Sequence, residues 1–67
     1  MVRGRVKWFS QTKGFGFLES LDGKDVYVHY TSISQASKVL TVGQVVEFDV
    51  LDTGRGLEAS GVVVIDR

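Results

Sequence analysis

Apolar and polar residues alternate along most of this chain, and the alternation breaks at glycines and at short polar clusters. Runs rich in Val, Phe, Tyr and Leu with period two, bounded by turn residues, are the signature of β-strands. Five such runs are predicted: Val2–Phe9, Gly14–Ser20, Asp25–Tyr30, Gln44–Leu51 and Leu57–Ile65. Ser10-Gln11-Thr12-Lys13, Leu21-Asp22-Gly23-Lys24 and Thr53-Gly54-Arg55-Gly56 read as turns. The longer polar stretch Thr31–Lys38 has room for one helical turn near Ser32-Ile33. No segment carries an apolar stripe at helical spacing. Five short strands with one long connection suit a small closed or partly open barrel, which removes exposed strand edges.

The two faces of these strands differ in kind. In the second strand Phe15 and Phe17 share a side, opposite Gly14, Gly16 and Leu18; in the third, Asp25, Tyr27 and His29 oppose Val26 and Val28. A sufficient apolar core can be assembled from Val6, Leu18, Val26, Val28, Ile33, Val46, Phe48, Val50, Val63 and Ile65. Phe15, Phe17, Tyr27 and His29 then have no necessary place inside. Alternating aromatics in a small β protein are most often core. Here, however, the opposite face of the third strand is the better interior, and burying Asp25 and His29 would require partners for both. Gly14 and Gly16 leave bare backbone behind the rings, which suits the close approach of another strand. A contiguous exposed aromatic patch marks a binding site. Bases of a single nucleic-acid strand fit it: each stacks on a ring for about 1–3 kcal/mol while Lys and Arg track the phosphates. A duplex fits poorly, because its bases are already stacked.

Composition narrows the rest. A chain of 67 residues is one domain, here taken as 1–67. There is no cysteine and one histidine, so neither a disulfide framework nor a nitrogen or thiolate metal centre is available, and no metal or other cofactor is expected. The lack of cysteine fits a reducing cytoplasm. No signal peptide or membrane span is legible; the longest wholly apolar run is Val62-Val63-Val64-Ile65. Eight basic residues balance eight acidic ones, which argues mildly against a nucleic-acid binder. The distribution argues the other way: residues 1–17 contain Arg3, Arg5, Lys7 and Lys13 and no acid, and a locally basic segment can attract a polyanion.

At this point the motifs carry a resemblance. Lys13-Gly14-Phe15-Gly16-Phe17-Leu18 resembles the first ribonucleoprotein motif of the bacterial cold-shock protein family, and Val26-Tyr27-Val28-His29-Tyr30 its second. Val6-Lys7-Trp8-Phe9 is similar to the family's opening strand, and the likeness spans essentially the whole chain. It implies a five-stranded antiparallel barrel of the OB type that binds single-stranded RNA and DNA as a monomer, without a membrane or small-molecule cofactor. The preference would be loose, tilted to T/U-rich or pyrimidine strands, and the role that of an RNA chaperone or a modulator of transcription or translation. By the same resemblance Trp8, Phe15, Phe17, Tyr27, His29 and Tyr30 would stack on bases. Lys7, Lys13 and Arg55 would contact phosphates or base edges, Asp25 would accept hydrogen bonds from bases, and Phe9 and Lys38 are possible further contacts. Strict alternation puts Trp8 with Val6, and Tyr30 with Val26 and Val28, so this placement requires a bulge or strong twist near each. The chain also departs from the family. Ser34-Gln35-Ala36-Ser37-Lys38 lacks the aromatic usual in that loop, which implies one missing stacking subsite. Leu57 replaces a common proline after Arg-Gly, and Tyr27 and Tyr30 replace frequent phenylalanines.

An enzyme is not expected. Asp25 and His29 share a strand face but lie about 13 Å apart at the strand rise, too far for a hydrogen-bonded dyad. Gly14 and Gly16 do not open a helix, so a dinucleotide fingerprint fails. The alternative is a small β-barrel module that binds protein or peptide through its aromatic patch.

Overall fold

The computed structural model describes residues 1–65, and five strands occur where the alternation predicts them. They are β1 (Val2–Ser10), β2 (Phe15–Ser20), β3 (Asp25–His29), β4 (Val45–Asp52) and β5 (Leu57–Val64). Tyr30 leaves the third strand and opens a single 3-10 turn, Tyr30–Ser32, slightly earlier than the helical turn anticipated near Ser32-Ile33. The His29 side chain caps that turn, with Nδ1 2.9 Å from the Thr31 hydroxyl.

Hydrogen-bonded neighbours run β1-β2-β3-β5-β4 and close on β1. Four of the contacts are antiparallel, while β3 and β5 are parallel through a bridge between Tyr27 and Glu58. An entirely antiparallel barrel, as expected above, is impossible for this strand number. Directions can alternate around a closed ring only if the count is even, so five strands leave at least one parallel pair. It falls where β4 intervenes in the chain between its two members.

Val6, Leu18, Val26, Val28, Ile33, Val46 and Phe48 are buried, as their positions in the alternation require. Val50, Val63 and Ile65 are not, and Leu40, Ala59 and Val62 complete the core instead. Two causes are visible. Val2, the first residue of β1, pairs with Phe48, so β4 runs past the end of its neighbour and Val50 loses its cover. In β5, Gly61 and Val62 together face only Phe48, because the register moves from Glu47↔Val63 to Asp49↔Ser60. This is a bulge, with Gly61 at φ 63°, a left-handed conformation that glycine adopts without a Cβ penalty. The extra residue flips the phase of the strand. Ala59 and Val62 turn inward with Val64 against them, and Val63 and Ile65 turn away.

Gly4 and Gly16 let the strands close tightly. A Cβ on Gly4 would overlap the Glu19 carbonyl and come within 3.2 Å of the Phe48 ring; one on Gly16 would overlap the Trp8 carbonyl and reach 2.6 Å from the Phe9 Cα. Of the two glycines expected behind the rings, Gly16 does what the sequence suggests and admits β1 at backbone distance, while Gly14 faces the Tyr30 ring instead.

Candidate functional site

β2 and β3 pair in the register Phe15↔His29 and Phe17↔Tyr27, which sets their rings side by side on the outer face. The rings form a continuous row. Trp8 meets Phe15 edge-on at 5.6 Å between centroids, Phe15 stacks on Tyr27 at 5.9 Å, and Phe17 meets Tyr27 edge-on at 5.9 Å. His29 and Tyr30 form a second pair at 4.7 Å. Trp8, Phe17 and Tyr30 are 44%, 38% and 47% exposed, while Phe15, Tyr27 and His29 are half-buried beneath or between their neighbours.

Trp8 reaches this face through a bulge in β1. Val6 pairs with Leu18 but Trp8 pairs with Phe17, so Lys7 is an extra residue without a partner in β2. The slip turns Trp8 out beside the other rings. It also turns Phe9 in, where the ring lies over Gly16 and packs against the core, apart from the exposed row. Tyr30 gets out by a different route from the bulge anticipated for it. The third strand has ended at His29, and the 3-10 turn swings the phenol over Gly14, whose missing side chain leaves it room: a Cβ there would sit 2.8 Å from the Tyr30 ring.

The basic border is smaller than the sequence suggests. Arg3 donates to Glu47 at 3.0 Å and Arg5 to the Gly43 carbonyl at 2.9 Å, both on the side of the barrel where β1 meets β4. Lys38 donates to the Ile33 carbonyl within its own loop. Lys7 donates to Asp25 at 3.0 Å, so two residues each expected to touch nucleic acid touch one another. This hydrogen bond, with the charge of Asp25 behind it, holds the Lys7 pKa above its ordinary value. The ammonium has three donors, so two remain for another acceptor. Lys7, Trp8, Phe17 and Asp25 border a small depression beside the rings. Lys13 and Arg55 are exposed and have no ion-pair partner among the described residues.

On the far side of Tyr27 an open groove of about 630 Å³ runs between the rings and the turn that joins β4 to β5. Phe17, Asp25, Tyr27 and His29 line it together with Thr53, Arg55, Gly56, Leu57 and Glu58. Asp52 and Thr53 tie that turn internally, Asp52 accepting from the Gly54 N–H at 3.0 Å and the Thr53 hydroxyl donating to the Gly56 carbonyl at 3.0 Å. Arg55 thus faces the rings across the groove, on a braced turn. Glu58, like Thr53, Gly56 and Leu57, lines the groove without having been expected from the sequence. Nothing local marks it, because its neighbour Tyr27 is contributed by a strand far away in the chain. No cluster of three or more His, Cys, Asp or Glu residues suited to a metal occurs among the described residues.

Comparison with known proteins agrees with this geometry. Residues 2–65 match the family model described as the 'Cold-shock' DNA-binding domain. The chain is 54% identical over 63 residues to the cold shock-like protein CspC of Bacillus cereus, covering 92% of this chain and 97% of that protein. It is 47% identical over 64 residues to cold shock protein CspB of Bacillus caldolyticus, covering 94% and 97%. Among solved structures it superimposes on drosophila Unr CSD456 with a TM-score of 0.80 at 23% identity, covering 96% of this chain and 26% of that one, a likeness of fold.

Proposed function

This chain belongs to the 'Cold-shock' DNA-binding domain family, a nucleic-acid-binding family, and from that premise we propose that it holds single-stranded RNA or DNA on the row formed by Trp8, Phe15, Tyr27 and Phe17. The unbroken row of rings on the outer face, exposed at Trp8 and Phe17, carries this reading. Its centroids are 5.6–5.9 Å apart, whereas bases stacked in a duplex rise by about 3.4 Å. A strand that sets successive bases on successive rings must therefore be unstacked and unpaired. His29 and Tyr30 extend the stacking surface, Asp25 accepts from base edges, and Lys7, Lys13 and Arg55 meet phosphates. Stacking accepts every base, so the preference is loose, with a tilt to flexible pyrimidine strands.

Such a protein carries out no bond-making step. It disfavours RNA hairpins by mass action, as a monomeric chaperone of cytoplasmic RNA, because ligand binding to the open strand draws the equilibrium toward it. Titration of Trp8 fluorescence with single-stranded and duplex oligonucleotides at several salt concentrations tests the reading. Single strands are expected to quench and duplexes to bind far more weakly. If Lys7, Lys13 and Arg55 each neutralise one phosphate, log K falls against log salt with slope about −2. A salt-insensitive interaction, or no quenching by any oligonucleotide, would favour the peptide-binding alternative.

The loop without an aromatic gives a second expected result. Ala36 and Ser37 are exposed, and Ala36→Phe or Ser37→Phe is expected to tighten binding to oligothymidine by about 1 kcal/mol by adding a stacking subsite. Unchanged affinity in both variants would remove the loop from the binding surface.

A further inference from the structure

Glu58 is the one acid of β5. Registered residues of a parallel pair point to the same face, so the Tyr27↔Glu58 bridge stands the carboxylate beside the Tyr27 ring. Leu57 and Ala59, on either side of it, turn toward the core. Glu58 thus lines the same groove as Phe17 and Arg55. An acid is out of place on a surface that takes a polyanion: it repels phosphate and adds nothing to stacking. Asp25, the other carboxylate of the groove, already shares its charge with Lys7 at 3.0 Å. Glu58 is half-buried and has no ion-pair partner among the described residues.

We propose that Glu58 is a specificity-determining residue that makes the subsite beside Tyr27 an acceptor-only site for guanine. The proposal rests on the single-strand reading above. An ionised carboxylate can only accept hydrogen bonds. Guanine alone among the bases presents two adjacent donors, N1–H and N2–H, on its Watson–Crick edge. The two oxygens of a carboxylate match that pair, and such bidentate, charge-assisted contacts are both strong and selective. Uracil and thymine place a single N3–H between two carbonyl oxygens, which the carboxylate repels. Cytosine and adenine set an amino donor beside a ring-nitrogen acceptor, so only one of the two oxygens is served. Stacking on Tyr27 fixes the plane of the base while Glu58 reads its edge, an edge that only an unpaired strand leaves free.

Fluorescence anisotropy of labelled hexathymidine, with one guanine moved along the strand, tests this. At one position guanine is expected to tighten binding by about tenfold, the scale of one good charge-assisted pair. Hypoxanthine at that position keeps the purine stack but lacks the N2 amino group, and should return most of the gain. In Glu58→Leu the difference between guanine and hypoxanthine disappears. Glu58→Gln, which keeps one acceptor, retains at most part of the difference and serves if leucine perturbs the strand. Equal affinity for guanine and hypoxanthine at every position of the wild type overturns the proposal, as does an unchanged preference in both variants. In either case hexathymidine binding leaves the single-strand reading standing. Failure of the wild type to bind any of these strands overturns both.

Discussion

Phe48→Ala is expected to cost about 3–5 kcal/mol, the range for deleting a buried aromatic ring. Phe48 is fully buried and the largest of the fully buried side chains. Its ring sits above Gly4 in β1 and across from the Gly61-Val62 bulge of β5, so it fills the space where three strands meet. Neither neighbour can collapse into the hole. Gly4 has no side chain to move, and the bulge is locked by pairing on both sides. The total stability of a 67-residue chain is only roughly 3–10 kcal/mol at the usual 0.05–0.15 kcal/mol per residue. The variant should therefore be largely unfolded at temperatures the parent tolerates, and saturating single-stranded oligonucleotide should partly restore it, because only the folded form binds. Denaturant titration followed by circular dichroism measures the loss. A shift below about 1 kcal/mol would mean that the barrel repacks around the cavity and that Phe48 is not its keystone.

Phe15→Ala is expected to separate binding from folding. Phe15 is an inner ring of the row, touching Trp8 on one side and stacked on Tyr27 on the other. Its loss removes one stacking surface and also the edge that holds Trp8 and Tyr27 in place. Affinity for hexathymidine should fall by about 1–3 kcal/mol, roughly fivefold to more than a hundredfold. Anisotropy of a labelled strand is the suitable readout, because Trp8 touches the mutated ring and its emission will change without any ligand. Phe15 lies outside the buried core, so the denaturant midpoint should move far less than for Phe48→Ala. Undiminished affinity in a folded Phe15→Ala protein would overturn the stacking role of the row.

The contrast between these residues was legible in the sequence for a physical reason. In β2 and β3 the alternation runs unbroken, and the face opposite the rings consists of Leu18, Val26 and Val28, all fully buried. Once those residues claim the interior, Phe15, Phe17, Tyr27 and His29 must point out, whatever the other strands do. Gly16 was readable too, since a glycine inside a strand needs a reason and the backbone of Trp8 and Phe9 against it supplies one. The motifs around these residues were enough to indicate the family.

Elsewhere a one-residue slip reversed the outcome. Lys7 is an ordinary polar residue at an ordinary position, yet as the unpaired residue of the β1 bulge it sends Trp8 out and Phe9 in. Gly61 does the same in β5, where it exchanges Val63 and Ile65 for Val62 and Val64. A bulge lies in the register between two strands, so the period of one strand cannot reveal where it falls. The same holds for charge. Arg3, Arg5 and Lys7 form a basic run along the chain, but each is answered by a group distant in sequence: Glu47, the Gly43 carbonyl and Asp25.

The sequence by itself determined the number and kind of strands, the inward rows of β2 and β3 and the central rings, because these follow from side-chain period and local turn chemistry. Only the tertiary structure decided which residues lie across from one another. Closing an odd number of strands forced one parallel pair, and that pair sets Glu58 against Tyr27. The groove that both line belongs to neither strand alone, and closure of the barrel creates it.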